Sequence, residues 1–459
     1  MAELKRDLTL THGIAIVVGI TIGTGIFLKS APMAQAVGSP YFVMGAWAVA
    51  GLVAVLGALC FAELGTLIPR AGGEYQYVRA AFGDLPGFVY VCMSIIIGAA
   101  SVAAYAVAFT IFLAGVVPLP GPWFEHHYQL FGQTMNWQFG FKQLLSIAAV
   151  VIFTGVNLAG VGFGGRVQTF LTSLKVLSLI GVIVGVYLFS PHVTDSAPSG
   201  DVAIPAFTLS GFGFAMLSAM WAYSGWQYLP MTAAEVRDPS RNVPRAVIGG
   251  GLLVVVLYLL VNSAYFVALP FESVLTASST TYPDAPAVGE RAAETFLGAQ
   301  AISLAGVVFL ISAIGALNGV MLTRARVPYA AAQDGLFFTA YANLNTGGSV
   351  PANSVILHGA LAIVFALSGT FDQLTNLATL IFVLFWALSG VALIVLRSRM
   401  ADSPRPYKVP LYPIVPVIYV LVMTGIIVST VIESPAESGA TLVLLGLSLP
   451  LYPFFRRRN

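Results

Sequence analysis

The sequence predicts an all-α membrane protein of twelve transmembrane helices, and three observations support this fold class. Hydrophobic residues make up 58% of the 459-residue chain and charged residues only 9%, whereas soluble proteins carry about 25% charged residues. Long apolar runs recur along the whole chain, and a helix needs roughly 20 such residues to cross a bilayer. The positive charges are concentrated in alternate connecting segments, as is typical of membrane proteins.

Twelve apolar stretches define the predicted spans. No soluble domain and no repeat of the length found in solenoid proteins interrupts them. The predicted spans are residues 13–38, 41–66, 86–116, 142–160, 167–190, 207–236, 246–270, 297–322, 351–369, 373–396, 411–432 and 438–455.

The positive residues predict the orientation in the membrane. With the N-terminus in the cytoplasm, 17 of the 21 Lys and Arg residues fall on the inner side. This bias favours a multi-pass protein of the plasma (inner) membrane with both termini cytoplasmic. Because these charges are spread over many loops, the net charge of +2 does not indicate a nucleic-acid partner.

The first span contains the unusual stretch GITIGTGIF, residues 19–27. A helix break inside lipid leaves backbone groups without partners, which is tolerable where the break lines a polar cavity. The alternative is close packing, because Gly19 and Gly23 form a small-xxx-small pair that lets another helix approach. Taken alone, this span favours packing over ligand binding.

The sixth span changes that balance. It reads GFGFAMLSAMWAYSGWQYLPMTAAEV, residues 211–236, with Ser224 and Gly225 at mid-span and Pro230 after them. A second interrupted span, five segments after the first, is the signature of an inverted five-plus-five repeat with discontinuous helices 1 and 6. Half-helix ends present amides to an anion and carbonyls to a cation. A zwitterionic α-amino acid is therefore the natural ligand of such an arrangement.

Lys175 lies in FLTSLKVLSLIG, near the middle of the fifth predicted span. A charged side chain at this depth costs about 2.5–3.5 kcal/mol on insertion scales and indicates a function. The alternative is that the side chain extends to the membrane interface. Arg166 is nine residues away, or about 13 Å of helix, which makes that alternative less favourable.

Four motifs resemble those of the amino acid–polyamine–organocation (APC) transporters. They are GITIGTGIF, then CFAELGTLIPRAGGEYQYVRAAFG at 60–83, WAYSGWQYLPMTAAEVRDPSRNVPRAV at 221–247, and NGVMLTRARVPYAAAQDGLF at 318–337. The third motif is similar to that of the L-type amino acid transporter branch, and its prokaryotic members in particular. The resemblance implies the LeuT-type fold, with a ten-helix inverted-repeat core in residues 1–396 and two additional C-terminal helices in 397–459.

The resemblance also implies a substrate site at the two interruptions. Backbone amides of the unwound first helix bind the substrate carboxylate, and the matching residues are Gly23, Thr24 and Gly25. The sixth helix gives carbonyls to the α-amino group and an aromatic gate, at the matching residues Trp221, Ala222, Tyr223, Ser224 and Gly225. The family usually has Phe at the gate, so Trp221 either narrows the pocket toward small side chains or adopts another rotamer.

Further residues gain roles by the same resemblance. Lys175 takes the place of the sodium ion of sodium-coupled relatives and bridges helix five to the unwound part of helix one. It acts either as a constant charge or as a group that loses its proton. Tyr258 matches a helix-seven tyrosine that touches helix one or the substrate, although a buried core tyrosine is nearly as good an interpretation. Weaker polar candidates are Asn318 and, as partners of nearby arginines, Glu63, Glu74 and Glu235.

The implied function is secondary active transport of neutral L-amino acids by alternating access, as a sodium-independent exchanger without a cofactor. Proton symport is an open alternative, as is a cationic amino acid or polyamine carrier, although no acidic residue lies in the middle of the predicted site spans. We expect neither an enzyme nor a channel, because there is no nucleophile–base pair or ring of charge. The animal L-type transporters that this chain resembles join an accessory glycoprotein through a Cys in the outer loop between helices three and four. The matching loop 117–141 lacks Cys, so no disulfide-linked accessory subunit is expected. Cys60 and Cys92 lie in apolar spans and predict no metal site.

Overall fold

The computed structural model describes residues 4–130, 133–191, 203–279, 281–282, 285–298, 301–345, 350–368, 371–433 and 435–456. Its α-helices are α1 Leu10–Thr21, α2 Gly25–Leu28, α3 Ser30–Val37, α4 Pro40–Leu67, α5 Glu74–Phe82, α6 Asp84–Val116, α7 Phe141–Leu158, α8 Val161–Phe189, α9 Leu209–Ala222, α10 Pro239–Ala268, α11 Phe271–Leu275, α12 Val288–Leu297, α13 Ala301–Arg324, α14 Arg326–Gln333, α15 Ala352–Ser368, α16 Phe371–Arg399, α17 Ile414–Glu433, α18 Pro435–Ser448 and α19 Tyr452–Arg456. Short 3₁₀ helices occupy Leu229–Glu235, Thr339–Ala342 and Leu449–Leu451.

Each predicted span contains helix. Ten spans in the described residues are long and apolar enough to cross a membrane, and two shorter apolar helices, Leu209–Ala222 and Ala352–Leu367, fall in the sixth and ninth predicted spans. The protein is therefore an all-helical, multi-pass membrane protein. Several helices begin before the predicted boundary, as α10 does at Pro239 rather than near 246, because proline suits the first turn of a helix.

Helix α10 illustrates how the residues are distributed between lipid and protein. Leu252, Val256 and Leu260 recur every four residues and are 47%, 53% and 43% exposed, so they form one face of the helix. The polar Tyr258 and Asn262 on another face are fully buried. The apolar face suits hydrocarbon, and the polar groups find partners inside the bundle.

The helices differ in how central they are. In an apolar 18-residue stretch of α6, 78% of the residues are buried inside the bundle. The corresponding share is only 22% in α7 and in the last span. Helix α13 packs along α6, α10 packs along α4, and α1 lies between α8 and α10. The interrupted first span thus lies inside the bundle, where its polar backbone can be met by neighbouring helices.

Three features outside the spans differ from the sequence prediction. Strands β1, Phe124–Leu130, and β2, Gln133–Phe139, form an antiparallel hairpin in the outer loop 117–141, where no strand was predicted. Helix α5 was not predicted. The sequence RARVPYAAAQDGLFFTAYANLN after the eighth span is long enough for a short surface helix. Helix α14 forms there but is buried, because it packs under α6 and the Leu229–Glu235 segment.

One end of the bundle collects the segment around Leu8, residues 235–237, α5 and α14, and we call it the basal face. The Leu8 amide donates to the Glu235 carbonyl at 2.9 Å, and the Arg237 amide donates to the Leu8 carbonyl at 2.9 Å. From α5, the Tyr75 hydroxyl donates to the Asp334 carboxylate at 3.0 Å. These contacts join the beginning of the chain to the segments that follow the sixth and eighth spans.

Candidate functional site

The first break lies between α1 and α2. Helix α1 ends at Thr21 and α2 begins at Gly25, so Ile22, Gly23 and Thr24 are not helical. The sequence interpretation that the glycines mark an unwound stretch therefore agrees with the structure. A break at this position frees backbone carbonyls of α1, and each needs a donor from elsewhere in the bundle.

Lys175 supplies one of those donors. Its ammonium on α8 donates to the carbonyl oxygens of Gly19, at 2.6 Å, and Ile22, at 2.8 Å. The side chain is 1% exposed, so it does not reach the membrane interface. The predicted bridge from helix five to the unwound part of helix one is present. A Cβ at Gly315 would lie 2.6 Å from the Lys175 Cε atom, so this glycine on α13 makes room for the lysine.

Ser312 supplies a second donor. Its hydroxyl on α13 lies 2.9 Å from the Ile22 oxygen and 3.0 Å from the Gly23 oxygen. Ser312 was not predicted from the sequence, because a serine in an apolar span is common and its hydroxyl often bonds within its own helix. Ser312 lies one turn before Gly315 and therefore on the face of α13 toward the break. This spacing is the feature of the sequence that could have indicated its role.

The second break follows α9. Helix α9 ends at Ala222, and turns connect it to the 3₁₀ segment Leu229–Glu235. The Gly225 amide donates to the Gln227 side-chain oxygen at 2.9 Å, and the Gln227 side-chain amide donates to the Ser224 hydroxyl at 2.7 Å. The Ser224 amide also donates to the Trp221 carbonyl at 3.0 Å. This break is held mainly by hydrogen bonds within its own segment.

Tyr258 joins the two breaks. Its hydroxyl on α10 donates to the Thr21 carbonyl at 2.6 Å and lies 3.1 Å from the Ala222 carbonyl. These carbonyls belong to the last residues of α1 and α9. The predicted contact with helix one is therefore present, together with a contact to the sixth span.

Glycine allows the two breaks to touch. A Cβ at Gly225 would lie 1.8 Å from the Thr21 Oγ1 atom, and a Cβ at Gly25 would lie 2.9 Å from the Ala222 Cα atom. Gly23 faces the Tyr105 ring in the same way, at 3.0 Å. Any larger residue would push the segments apart, so the glycines pack closely as well as bordering the break.

An aromatic wall borders the breaks. The ring of Trp221 stacks on Tyr105 with centroids 5.7 Å apart and lies 6.4 Å from Phe382. Tyr223 lies 5.1 Å from Tyr258 and 5.7 Å from Trp47. Trp221 is thus held between aromatic rings, which fixes its rotamer in this conformation.

Two buried hydroxyl groups at the breaks lack a hydrogen-bond partner among the described residues. They are the Thr24 hydroxyl and the Tyr223 hydroxyl, both buried. Buried polar groups are almost always satisfied by protein, water or a ligand. These two hydroxyls therefore have hydrogen-bonding capacity that a small polar molecule between the breaks could use.

All the predicted site residues are buried in this conformation. Lys175, Tyr258 and both breaks are closed to solvent. On the basal side the closure includes Glu235 and Arg326, which are 0% and 2% exposed and form a two-pronged ion pair at 2.8 and 2.9 Å. A molecule could reach the breaks only if one face of the bundle opened.

The remaining polar candidates have separate partners. Asn318 accepts from the Asn157 side-chain amide at 3.0 Å and donates to Gln168 at 2.9 Å, so it belongs to a buried amide network between α7, α8 and α13. Glu63 pairs with Arg397 at 2.6 Å. The prediction that acidic residues serve nearby arginines is confirmed for Glu63 and Glu235, whereas Glu74 accepts a hydrogen bond from Tyr90 and forms no ion pair among the described residues. In the described part of the chain, no three His, Cys, Asp or Glu side chains are grouped to hold a metal.

Comparison with known proteins identifies the family. The amino acid permease family model matches residues 8–447. The chain is 31% identical to the b(0,+)-type amino acid transporter 1 of Mus musculus, over 98% of this chain and 88% of that protein. It is 28% identical to the serine/threonine exchanger SteT of Bacillus subtilis, over 99% of this chain and 98% of that protein. It is 29% identical to the human cystine/glutamate transporter, over 99% of this chain and 86% of that protein.

The match extends over nearly the whole chain and covers both breaks and the helices that carry Lys175 and Tyr258. The resemblance found in four short motifs is thus supported by the full length of the described bundle. The chain belongs to the amino acid permease family of the APC superfamily, whose members are membrane transporters and not enzymes.

Proposed function

We propose that the protein exchanges small neutral L-amino acids across the plasma membrane by alternating access and without sodium. The observation that carries this proposal is the Lys175 ammonium, 2.6 Å from the Gly19 oxygen and 2.8 Å from the Ile22 oxygen. In transporters with interrupted helices, unwound carbonyls of this kind coordinate a coupling cation. A lysine fixed to the same kind of carbonyl supplies the positive charge without an ion.

The architecture proposed for this function has twelve spans. The two shorter apolar helices α9 and α15 join the ten long spans. The broken first and sixth spans then occupy equivalent places in an inverted five-plus-five, LeuT-type repeat within residues 1–396. Residues 397–459 add two outer helices, of which the last is only 22% buried. The basal face is cytoplasmic in this proposal, and both termini lie there.

The substrate site in this proposal lies between the breaks. The carboxylate of the amino acid binds the backbone amides around Gly23, Thr24 and Gly25, and its ammonium binds the carbonyls of the segment Trp221, Ala222, Tyr223, Ser224 and Gly225. Tyr258 holds the two segments at a fixed separation. The unpartnered hydroxyls of Thr24 and Tyr223 support a polar ligand at this position.

A small neutral side chain fits the surroundings best. Trp221 is fixed between Tyr105 and Phe382 and limits the space beside the breaks. The buried carboxylates Glu63 and Glu235 are engaged by arginines, so neither is free to receive a cationic side chain. The exchanger SteT, named for serine and threonine, matches almost end to end, and this supports exchange of small hydroxyl or aliphatic amino acids. No covalent accessory subunit is expected.

Exchange in liposomes tests the proposal. Purified protein should take up labelled L-serine into liposomes loaded with unlabelled serine, with little uptake into empty liposomes and equal rates in sodium and choline buffers. Threonine and alanine should compete, whereas arginine, glutamate and putrescine should not. Uptake that required a sodium gradient, or competition by arginine as strong as by serine, would contradict it.

A further inference from the structure

A buried acidic residue lies outside the proposed substrate site. Glu74 begins α5 on the basal face and is 1% exposed. The Tyr90 hydroxyl of α6 donates to its Oε2 atom at 2.9 Å. The Oε1 atom has no hydrogen-bond partner among the described residues. A single neutral donor is weak support for a carboxylate out of contact with water.

Arg324 is a buried cation that interacts electrostatically with Glu74. It ends α13, is 1% exposed and donates to the Ser94 hydroxyl at 2.9 Å. Its Nε and NH2 groups have no hydrogen-bond partner among the described residues. Instead, the guanidinium carbon lies 4.9 Å from the ring centroids of both Tyr228 and Phe382, an arrangement that stabilises a cation over aromatic faces.

Glu74 and Arg324 interact electrostatically, yet no ion pair joins them among the contacts of the described residues. Each therefore has hydrogen-bonding capacity that the other could fill. A neutral, protonated carboxyl would leave the arginine on its aromatic partners, whereas an ionised carboxylate would attract it. The pair thus has two arrangements that differ by one proton.

The groups that face Glu74 offset only part of the cost of burying its charge. They are Tyr90 of α6, Arg324 of α13, Tyr77 of α5 and Tyr419 of α17, and among these only Arg324 is charged. Burial raises the pKa of the Glu74 carboxyl to about 7, and the charge of Arg324 and the Tyr90 hydrogen bond offset this only in part. The carboxyl can therefore gain or lose a proton within the physiological range.

The same cluster contacts the second break. Tyr228, under the Arg324 guanidinium, donates its backbone amide to the Gly225 carbonyl at 3.2 Å. Phe382, its other aromatic partner, lies 6.4 Å from Trp221. Two residues before Glu74, the Gly72 amide donates to the Met231 carbonyl at 3.0 Å. A movement of Arg324 or α5 would therefore change the contacts of the residues that close the site from the basal side.

We propose that Glu74 is a proton-binding site that controls opening of the basal face. With the proton bound, Arg324 remains stacked on Tyr228 and Phe382, and the face stays closed. When the carboxyl O–H bond breaks and the proton passes to water, the carboxylate draws Arg324 from the aromatic rings, and the basal face opens more readily. The link to transport rests on the proposed exchange function, whereas the proton site itself does not.

Exchange at controlled pH tests the link to transport. With equal pH on both sides of the liposomes, serine exchange by the unmodified protein should rise about fivefold between pH 6 and pH 8, a size typical of coupling between two sites. Glu74→Gln should remove this pH dependence and keep the low rate. The control Asp84→Asn changes an exposed acid of the same region and should retain the full pH dependence. An unchanged pH profile in Glu74→Gln would overturn the proposal.

Infrared difference spectroscopy tests the proton site without transport. A protonated-carboxyl band should disappear between pH 6 and pH 8 in the unmodified protein, and it should be absent at both pH values in Glu74→Gln. Tyr90→Phe removes the hydrogen bond that favours the ionised form, so the midpoint should move to higher pH in both the band and the exchange rate. If the unmodified protein exchanges nothing at any pH, the proposed function fails while the infrared titration still decides the proton site. A Tyr90→Phe midpoint that stayed in place or moved down would contradict the assignment to Glu74.

Discussion

The two breaks at the centre of the bundle are held in different ways. The carbonyls around the first break receive hydrogen bonds from three other helices, through Lys175, Ser312 and Tyr258. The second break relies mainly on its own segment, where Gln227 connects Ser224 and Gly225. Among the described residues, Tyr258 is the only side chain of another helix that donates a hydrogen bond to a carbonyl at the second break.

This difference predicts which contacts matter for transport. A hydrogen bond between helices that move relative to each other exists in some conformations and not in others, so its loss changes their relative populations. A hydrogen bond within one segment moves with that segment and is equal in every conformation. Its loss lowers stability but leaves the balance between conformations almost unchanged. The first break is therefore expected to be the one that senses helix movement.

Replacement of Lys175 should have the largest effect. In Lys175→Ala the Gly19 carbonyl loses its charged donor, and a hydrogen bond to a charged group contributes about 1.5–3 kcal/mol. We expect exchange to fall about 100-fold or more, with the protein still inserted and purified in near-normal yield. Serine exchange in sodium and choline buffers measures this.

Lys142→Ala is the matched control for Lys175→Ala, because Lys142 is exposed at the start of α7 and its loss should leave exchange unchanged. If Lys175→Ala exchanged serine as fast as the unmodified protein, the lysine would have no role in the mechanism and would be only a tolerated polar residue.

Tyr258→Phe should have an intermediate effect, because the hydroxyl serves both breaks. Its loss leaves the Thr21 carbonyl without its 2.6 Å donor, at a cost of about 1–2 kcal/mol, and exchange should fall about tenfold. Tyr265→Phe is the control: Tyr265 lies on the same helix, and its buried hydroxyl has no hydrogen-bond partner among the described residues. Equal effects of the two substitutions would show that the bridge between the breaks is unimportant.

Much of this arrangement was predictable from residue types that are rare inside a membrane. Lys175 stands out as a charge at mid-span, and its contact with the first break follows from its depth and from the resemblance. The glycines at 19–25 and 225 predicted the breaks themselves. Their close packing against Ala222 and Thr21 could not be predicted, because it depends on how two distant segments cross.

The residues that were missed are of common types or lie near span ends. Ser312 is one of many serines in apolar helices, and only its contact with the first break distinguishes it. Arg324 is one of the 17 positive residues on the predicted inner side, yet it is 1% exposed between Tyr228 and Phe382. Its burial depends on Ser94, Tyr228 and Phe382, which come from three distant parts of the chain. Sequence patterns give the depth of a residue more readily than its partners.

The smallest effect on exchange is expected at Gln227, in a direct comparison with Ser312. Gln227→Met leaves the buried Gly225 amide without its acceptor, which should lower stability by about 1–3 kcal/mol. The turn hydrogen bonds from the Ser224 and Tyr228 amides remain. Exchange should therefore stay within about twofold of the unmodified rate, a smaller change than the loss of one hydrogen bond would cause if that bond differed between conformations.

Ser312→Ala removes a donor between α13 and the first break, while Lys175 still donates to the Ile22 carbonyl. It should lower stability less but reduce exchange more, by about fivefold. Thermal unfolding in detergent and serine exchange, measured on both variants, separate the two effects. The reverse ranking, with exchange lost in Gln227→Met and retained in Ser312→Ala, would mean that the second break is the one whose contacts change during transport.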